Sequence, residues 1–177
     1  DEVLYFLMLD RFSDGNEEGF RSPDSPPGRP PTPRYSPADN GNAIRTPLDA
    51  ARWREAGRSW MGGTLAGVHS KLDYLAGLGV TALWISPVLK QSGVAPGRQQ
   101  NYHGYATQDF LAVDGHFGTT EDLRDLVDQA HRRGLRVILD VVLNHAGDVF
   151  AYQDGDPVYT GQDYPVAGWY DADRNLI

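Results

Sequence analysis

An acid, an amide and an imidazole fall within one short stretch, Asp140-Val141-Val142-Leu143-Asn144-His145, at the end of the largely apolar run Leu135-Arg136-Val137-Ile138-Leu139. A buried parallel strand reads as a nearly continuous apolar run. A carboxylate placed there must find partners, because an unpaired buried charge is very costly. Asp140 is therefore either a strand-end acid satisfied by neighbouring backbone amides or a member of a polar site at the strand's end. Two imidazoles, His103 and His145, are candidate donors to hydroxyl groups, with surface or capping histidines as the alternative. Tyr105, two residues beyond His103, offers an apolar ring face with a hydroxyl at its edge. That shape suits stacking on the C–H face of a pyranose, and it equally suits packing within a loop. Zinc chemistry is a poor fit: there is no cysteine, and no His-x-x-x-His or His-x-x-Glu spacing. Asp10, Asp14 and Asn16 crowd oxygens into one loop that suits either Ca²⁺ or a turn whose Asx side chains bond the backbone.

The elements that must position these groups follow from periodicity. Val3 to Leu9 reads as a buried strand. Residues 13–63 are rich in Pro, Gly, Ser, Asp and Arg and predict a long loop insertion, pinned near its end by Trp53 and Trp60. Leu65, Val68, Leu72, Leu75 and Leu78 recur at helical steps from Thr64, with Gly79 as the stop. Val80 to Ile85 is the second strand, and a loop of glycines and aromatics runs on to Gly118. Thr119-Thr120-Glu121-Asp122 opens a second helix with acids in its first turn. Leu123, Leu126, Val127 and Ala130 form its buried stripe, and Leu135 to Val142 is the third strand. Helices between consecutive strands predict a parallel sheet. Every chemically suggestive cluster follows a strand and none follows a helix. That one-sidedness fits a (β/α)₈ barrel and a doubly wound sheet alike.

Composition narrows the function classes. At 177 residues, 40% hydrophobic, the chain is long enough for one globular domain with a sizeable core. A formal charge of -8 argues against nucleic acid, whose phosphates it would repel. No window approaches the roughly eighteen uninterrupted apolar residues of a membrane helix. The absence of cysteine leaves the redox compartment open. A nucleotide-binding domain would need a glycine-rich phosphate loop after the first strand, where Ser13-Asp14-Gly15-Asn16 stands instead. Both ends, Asp1-Glu2-Val3 and Asn175-Leu176-Ile177, read as cut from a longer polypeptide.

Five segments together resemble the start of the catalytic domain of the α-amylase family of glycoside hydrolases. They are Asp10 to Asn16, Gly62-Gly63-Thr64, Ala82 to Pro87, Tyr102-His103-Gly104-Tyr105 and Asp140 to His145, in the family's order and on the expected elements. The resemblance implies an α/β fold, a partial TIM (β/α)₈ barrel made of its first three strands and two helices. Residues 1–145 would be that part, with the insertion at about 13–63, and 146–177 the beginning of an irregular inserted second domain. It implies that His103 and His145 contact the sugar at the cleaved bond, that Tyr105 stacks on it, and that Asp140 organises the subsite beneath. It implies that Asn144 binds a structural Ca²⁺, and in some members Asp14 and Asn16 match ligands of a separate calcium site. Here Glu17-Glu18-Gly19-Phe20 follows, without the further asparagines those members carry.

The implied parent is a retaining enzyme that hydrolyses or transfers α-1,4-linked glucans by double displacement. Its nucleophile and acid/base are expected on the fourth and fifth strands, beyond residue 177, and no Gly-x-Arg-x-Asp pattern occurs in this chain. The expected partner is thus an α-glucan, with neither nucleic acid nor membrane, and this segment alone is expected to be inactive. The alternative is a non-catalytic carbohydrate-binding or accessory barrel of the same family. An Asp after the fourth strand and a Glu after the fifth would mean enzyme. Substrate and product specificity, and location inside or outside the cell, are not legible in these residues.

Overall fold

The structure, a computed structural model, describes residues 2–15, 46–48, 51, 54, 57–94, 99–147, 149–153, 165–171 and 175–177. Strand β1 (Leu4–Leu7) runs into a 3-10 turn at Leu9–Arg11. Two short helices, α1 (Leu65–Ser70) and α2 (Leu72–Gly77), lead to β2 (Ala82–Ile85). Then come β3 (Leu89–Gln91), β4 (Thr107–Val113), helix α3 (Thr120–Arg132) and β5 (Arg136–Leu139). β6 (Phe150–Tyr152) and β7 (Val166–Trp169) follow. β1, β2 and β5 form a parallel sheet in that order, with Leu4, Ala82 and Arg136 in register at one end and Leu7, Ile85 and Leu139 at the other. β3 pairs antiparallel with β4, and β6 with β7.

The helices cover one face of the sheet. Leu65, Val68, Leu72 and Leu75 are fully buried against Leu83 and Ile85, joined by Leu126 and Ala130 from α3. α3 starts as its sequence requires: Thr119 Oγ1 accepts the Asp122 N–H at 3.1 Å, while Asp122 Oδ2 accepts the Thr119 N–H at 2.7 Å. This capping box satisfies two donors that the first helical turn would otherwise leave bare. The Thr119 hydroxyl, donating to Asp122 Oδ2 at 2.8 Å, and then the Thr119 N–H hold the Asp122 carboxyl below its ordinary range.

Several expectations need correction. The single helix predicted from Thr64 to Leu78 is broken at Lys71, whose backbone (φ -108°, ψ 4°) is not helical. Two local causes are visible. Ser70 Oγ donates to the Gly67 carbonyl at 2.7 Å, competing with the helical ladder. Gly67 is itself a weak helix former, held in place because a Cβ there would sit 1.9 Å from the Ser13 carbonyl oxygen. The apolar stripe survives the break except for Leu78, which is 55% exposed. The predicted loop between Ile85 and Gly118 contains the β3–β4 ladder; its register slips twice beside Lys90, so no regular alternation announces it. The third strand stops at Leu139, and Leu143 stands 87% exposed.

β1, expected to be a buried strand, is exposed at Leu4, Tyr5 and Phe6 and buried at Leu7. Leu4, Phe6, Trp84 and Ile138 line the face away from the helices and remain 38–53% exposed. Of the tryptophans expected to pin the insertion, Trp53 lies outside the described residues. Trp60 stacks on His116 at 4.0 Å between ring centroids and meets Phe117 edge-on. No described helix is long and apolar enough to cross a membrane.

Candidate functional site

The polar groups sit where the three parallel strands end. After β1, Asp10 is buried, yet its carboxylate is fully engaged: both oxygens accept the Met61 N–H at 3.0 Å, and Oδ1 also accepts that of Gly62 at 3.1 Å. Arg11 Nε lies 3.2 Å from Oδ2. Asp10 thus fastens the end of the long insertion to the sheet. After β2, Ser86 Oγ accepts the Leu9 N–H at 3.0 Å and ties the two strand ends together.

The β3–β4 ladder then carries residues 101–106 back to the sheet's end. The turn depends on Gly104, which has φ +88° and would place a Cβ 2.1 Å from the Pro87 carbonyl oxygen. Only glycine meets both conditions. On either side of it stand His103 and Tyr105, their rings stacked with centroids 5.8 Å apart and 22° between planes.

Tyr105 is the hub. Its N–H donates to His103 Nδ1 at 3.0 Å. Its hydroxyl donates to Asp140 Oδ2 at 2.9 Å. Its carbonyl lies 2.9 Å from His145 Nε2. These contacts assign protons without seeing them. A backbone N–H can only donate, so His103 Nδ1 is bare and, in the neutral ring, Nε2 carries the proton. A carbonyl can only accept, so His145 Nε2 carries a proton and spends it on Tyr105. Burial lowers the His103 pKa, favouring the neutral ring that this bond requires. Burial, reinforced by the hydrogen bond to Asp140 and its charge, raises the Tyr105 pKa and keeps the phenol protonated. Behind the pair, the Arg11 guanidinium lies 3.9 Å over the Tyr102 ring, which meets His103 edge-on.

All four residues singled out as sugar-binding candidates, His103, Tyr105, Asp140 and His145, are therefore in one network. Asp140 reached a partner by the second of the two routes open to it, a side chain from the neighbouring loop. The calcium candidates belong to two separate expected sites. Asn144 is exposed, Asp14 is exposed at the far end of the 3-10 turn, and Asn16 lies outside the described residues. Among the described residues no group of three or more His, Cys, Asp or Glu could hold a metal ion. One amide oxygen falls well short of the six to eight that Ca²⁺ takes, so Asn144 would need oxygens from other residues to hold the ion.

Two buried polar residues went unnoticed in the sequence. Asp114, 5% exposed, accepts the N–H groups of Gln91 and His116 and pairs with His116 Nδ1 at 2.7 Å. Gln91 is 6% exposed. Gln91 sits in no motif that would have marked it, whereas Asp114 closes the apolar run Phe110-Leu111-Ala112-Val113, a signal that could have found it. A cavity of about 490 Å³ opens beside them, lined by Trp60, Lys90, Asn101 and His116 among others, and by none of the four clustered residues. The cluster itself stands at the ends of the parallel strands, outside that cavity.

Residues 6–175 match the alpha amylase catalytic domain. The beta/alpha-amylase of Paenibacillus polymyxa is 36% identical over 169 residues, which are 96% of this chain and 11% of that protein. The periplasmic alpha-amylase of Escherichia coli is 37% identical over 173 residues, 91% of this chain and 22% of its own length. Among solved structures, the alpha-amylase of Geobacillus thermoleovorans complexed with acarbose superposes with a TM-score of 0.54 at 35% identity, over 83% of this chain and 24% of that one. The chain thus spans less than a quarter of the length of each. Its parallel sheet and two helical crossovers are part of a (β/α)₈ barrel, which decides between the two topologies left open by element order. Matched along nearly its whole length and built on that framework, the chain belongs to the α-amylase catalytic-domain family.

Proposed function

We propose that the network around Tyr105 is one glucose-binding subsite of a polypeptide that hydrolyses or transfers α-1,4-linked glucans with retention. The carrying observation is the triple hold on Tyr105, through its amide, carbonyl and hydroxyl, by His103, His145 and Asp140. A ring tied at its hydroxyl, on a residue whose backbone N–H and carbonyl are both bonded, presents its face at fixed height, which a stacking platform needs and an ordinary loop tyrosine does not. In this reading Tyr105 stacks on the pyranose and His103 Nε2–H donates to a sugar hydroxyl. Asp140 and His145 hold the platform. The names of the relatives, amylases from several organisms, and the acarbose complex of one of them support an α-glucan as the ligand.

Bond cleavage with retention needs two carboxyl groups about 5 Å apart. Asp140 is the one carboxylate of this cluster, and it is occupied by the Tyr105 hydroxyl. The segment therefore contributes binding, and the nucleophile and acid/base come from elsewhere in the complete polypeptide. No step of this reading runs through calcium. The test is Tyr105→Ala in the complete polypeptide. Loss of the stacking face should lower kcat/KM on maltooligosaccharides by about 10- to 100-fold, from roughly 1.5–3 kcal/mol of transition-state binding. An unchanged kcat/KM would remove the subsite from the account.

A further inference from the structure

The turn that presents Tyr105 is held from behind by a residue outside the cluster. Where the β3–β4 register slips at Gln91, the ladder leaves backbone groups to be satisfied in some other way. The Gln91 side chain does this. Its Oε1 accepts the Ala106 N–H at 2.8 Å, and its Nε2 donates to the Leu89 carbonyl at 2.8 Å. Its own N–H donates to Asp114 Oδ2 at 2.8 Å. The Ala106 carbonyl in turn accepts the Ser92 N–H at 2.8 Å. Both backbone polar groups of Ala106 are thus fixed, and Ala106 is the residue next to Tyr105.

The chemistry demands an amide. The side chain must accept at one end and donate at the other, inside a site that is 6% exposed. A carboxylate would keep the acceptor but face the Leu89 carbonyl without a proton, close to the Asp114 carboxylate. An apolar side chain of the same length would leave the Ala106 N–H buried and unpaired. We infer that Gln91 is a positioning residue for the sugar-binding turn, setting the height of the Tyr105 ring through the amide of Ala106. This rests on the reading of Tyr105 as a stacking platform. Displacements on the order of 1 Å in a positioning element can cost about a hundredfold in rate, so a buried side chain bonded one residue from the platform has leverage.

The test is a double-mutant cycle in the complete polypeptide, read as kcat/KM on a maltooligosaccharide, with thermal unfolding confirming that each variant is folded. Gln91→Met should lower kcat/KM by roughly tenfold, and Tyr105→Ala by its own larger factor. If Gln91 acts through Tyr105, the double variant is no slower than Tyr105→Ala to within a factor of about two. Losses that multiply would overturn the inference, because a general loosening of the structure adds to the loss of the platform. So would wild-type activity in Gln91→Met. An unaffected Tyr105→Ala would instead remove the subsite reading, and the inference with it. Should Gln91→Met fail to fold, Gln91→Asn, which keeps an amide in the site but is one methylene too short to hold the Ala106 N–H, enters the same cycle with the same criteria.

Discussion

At the scale of single residues, the site turns on which ring nitrogen holds a proton. His103 accepts the Tyr105 N–H at Nδ1, and burial lowers its pKa. The neutral form is the one the fold prefers, so its contribution to stability is fully present above the ordinary histidine range, around pH 6.5. It is lost as pH falls through the lowered folded-state value. His103→Asn keeps an acceptor near Nδ1 and removes the titration. Thermal unfolding of the complete polypeptide between about pH 7 and pH 4 should lose stability more steeply with acid in the wild type than in His103→Asn. Parallel curves would show that His103 is not the titrating group. The sequence pointed to His103, Tyr105, Asp140 and His145 because types and spacing are visible in a string. The division of labour among them was not visible. The contact between His145 Nε2 and the Tyr105 carbonyl joins residues 40 positions apart, which no local spacing announces.

At the scale of elements, legibility followed regularity. α3 was readable because acids in the first turn, an apolar stripe and a stop at Gly134, which the structure gives φ +75°, all agree. The β3–β4 ladder was not, because two register slips erase alternation and its paired segments lie far apart in the chain. Gln91 was hidden for the same reason: its significance lies in a bond to Ala106 that only the ladder creates. The turn at Gly104 is where the element meets the site. Gly104→Ala would force a Cβ against the Pro87 carbonyl in a left-handed backbone. We expect it to destabilise the protein by at least about 2 kcal/mol and to lower activity together with stability. Denaturant unfolding measures the first. A midpoint equal to wild type would mean that the turn relaxes without cost.

At the scale of the whole molecule, the sheet is half clothed. Its helical face carries a leucine-rich core, though Tyr5 and Leu139 at its edges stay exposed, while Leu4, Phe6, Trp84 and Ile138 are left open on the other. Parallel sheets are ordinarily covered on both faces, and in a barrel the inner face is filled by side chains from the other strands. Nothing in the sequence of β1 says which of its faces is covered within this segment, which is why it read as buried throughout. Residues 1–177 produced alone should therefore bind a hydrophobic dye, self-associate, and release no reducing sugar from starch. A monodisperse, dye-free monomer would contradict the first two expectations, and hydrolysis the third.

The most direct measurement is a crystal structure of the complete polypeptide with a non-hydrolysable maltooligosaccharide. The account predicts a pyranose ring lying on the face of Tyr105, with a sugar hydroxyl within hydrogen-bonding distance of His103 Nε2. Sugar bound elsewhere, with the Tyr105 face packed against protein, would contradict it.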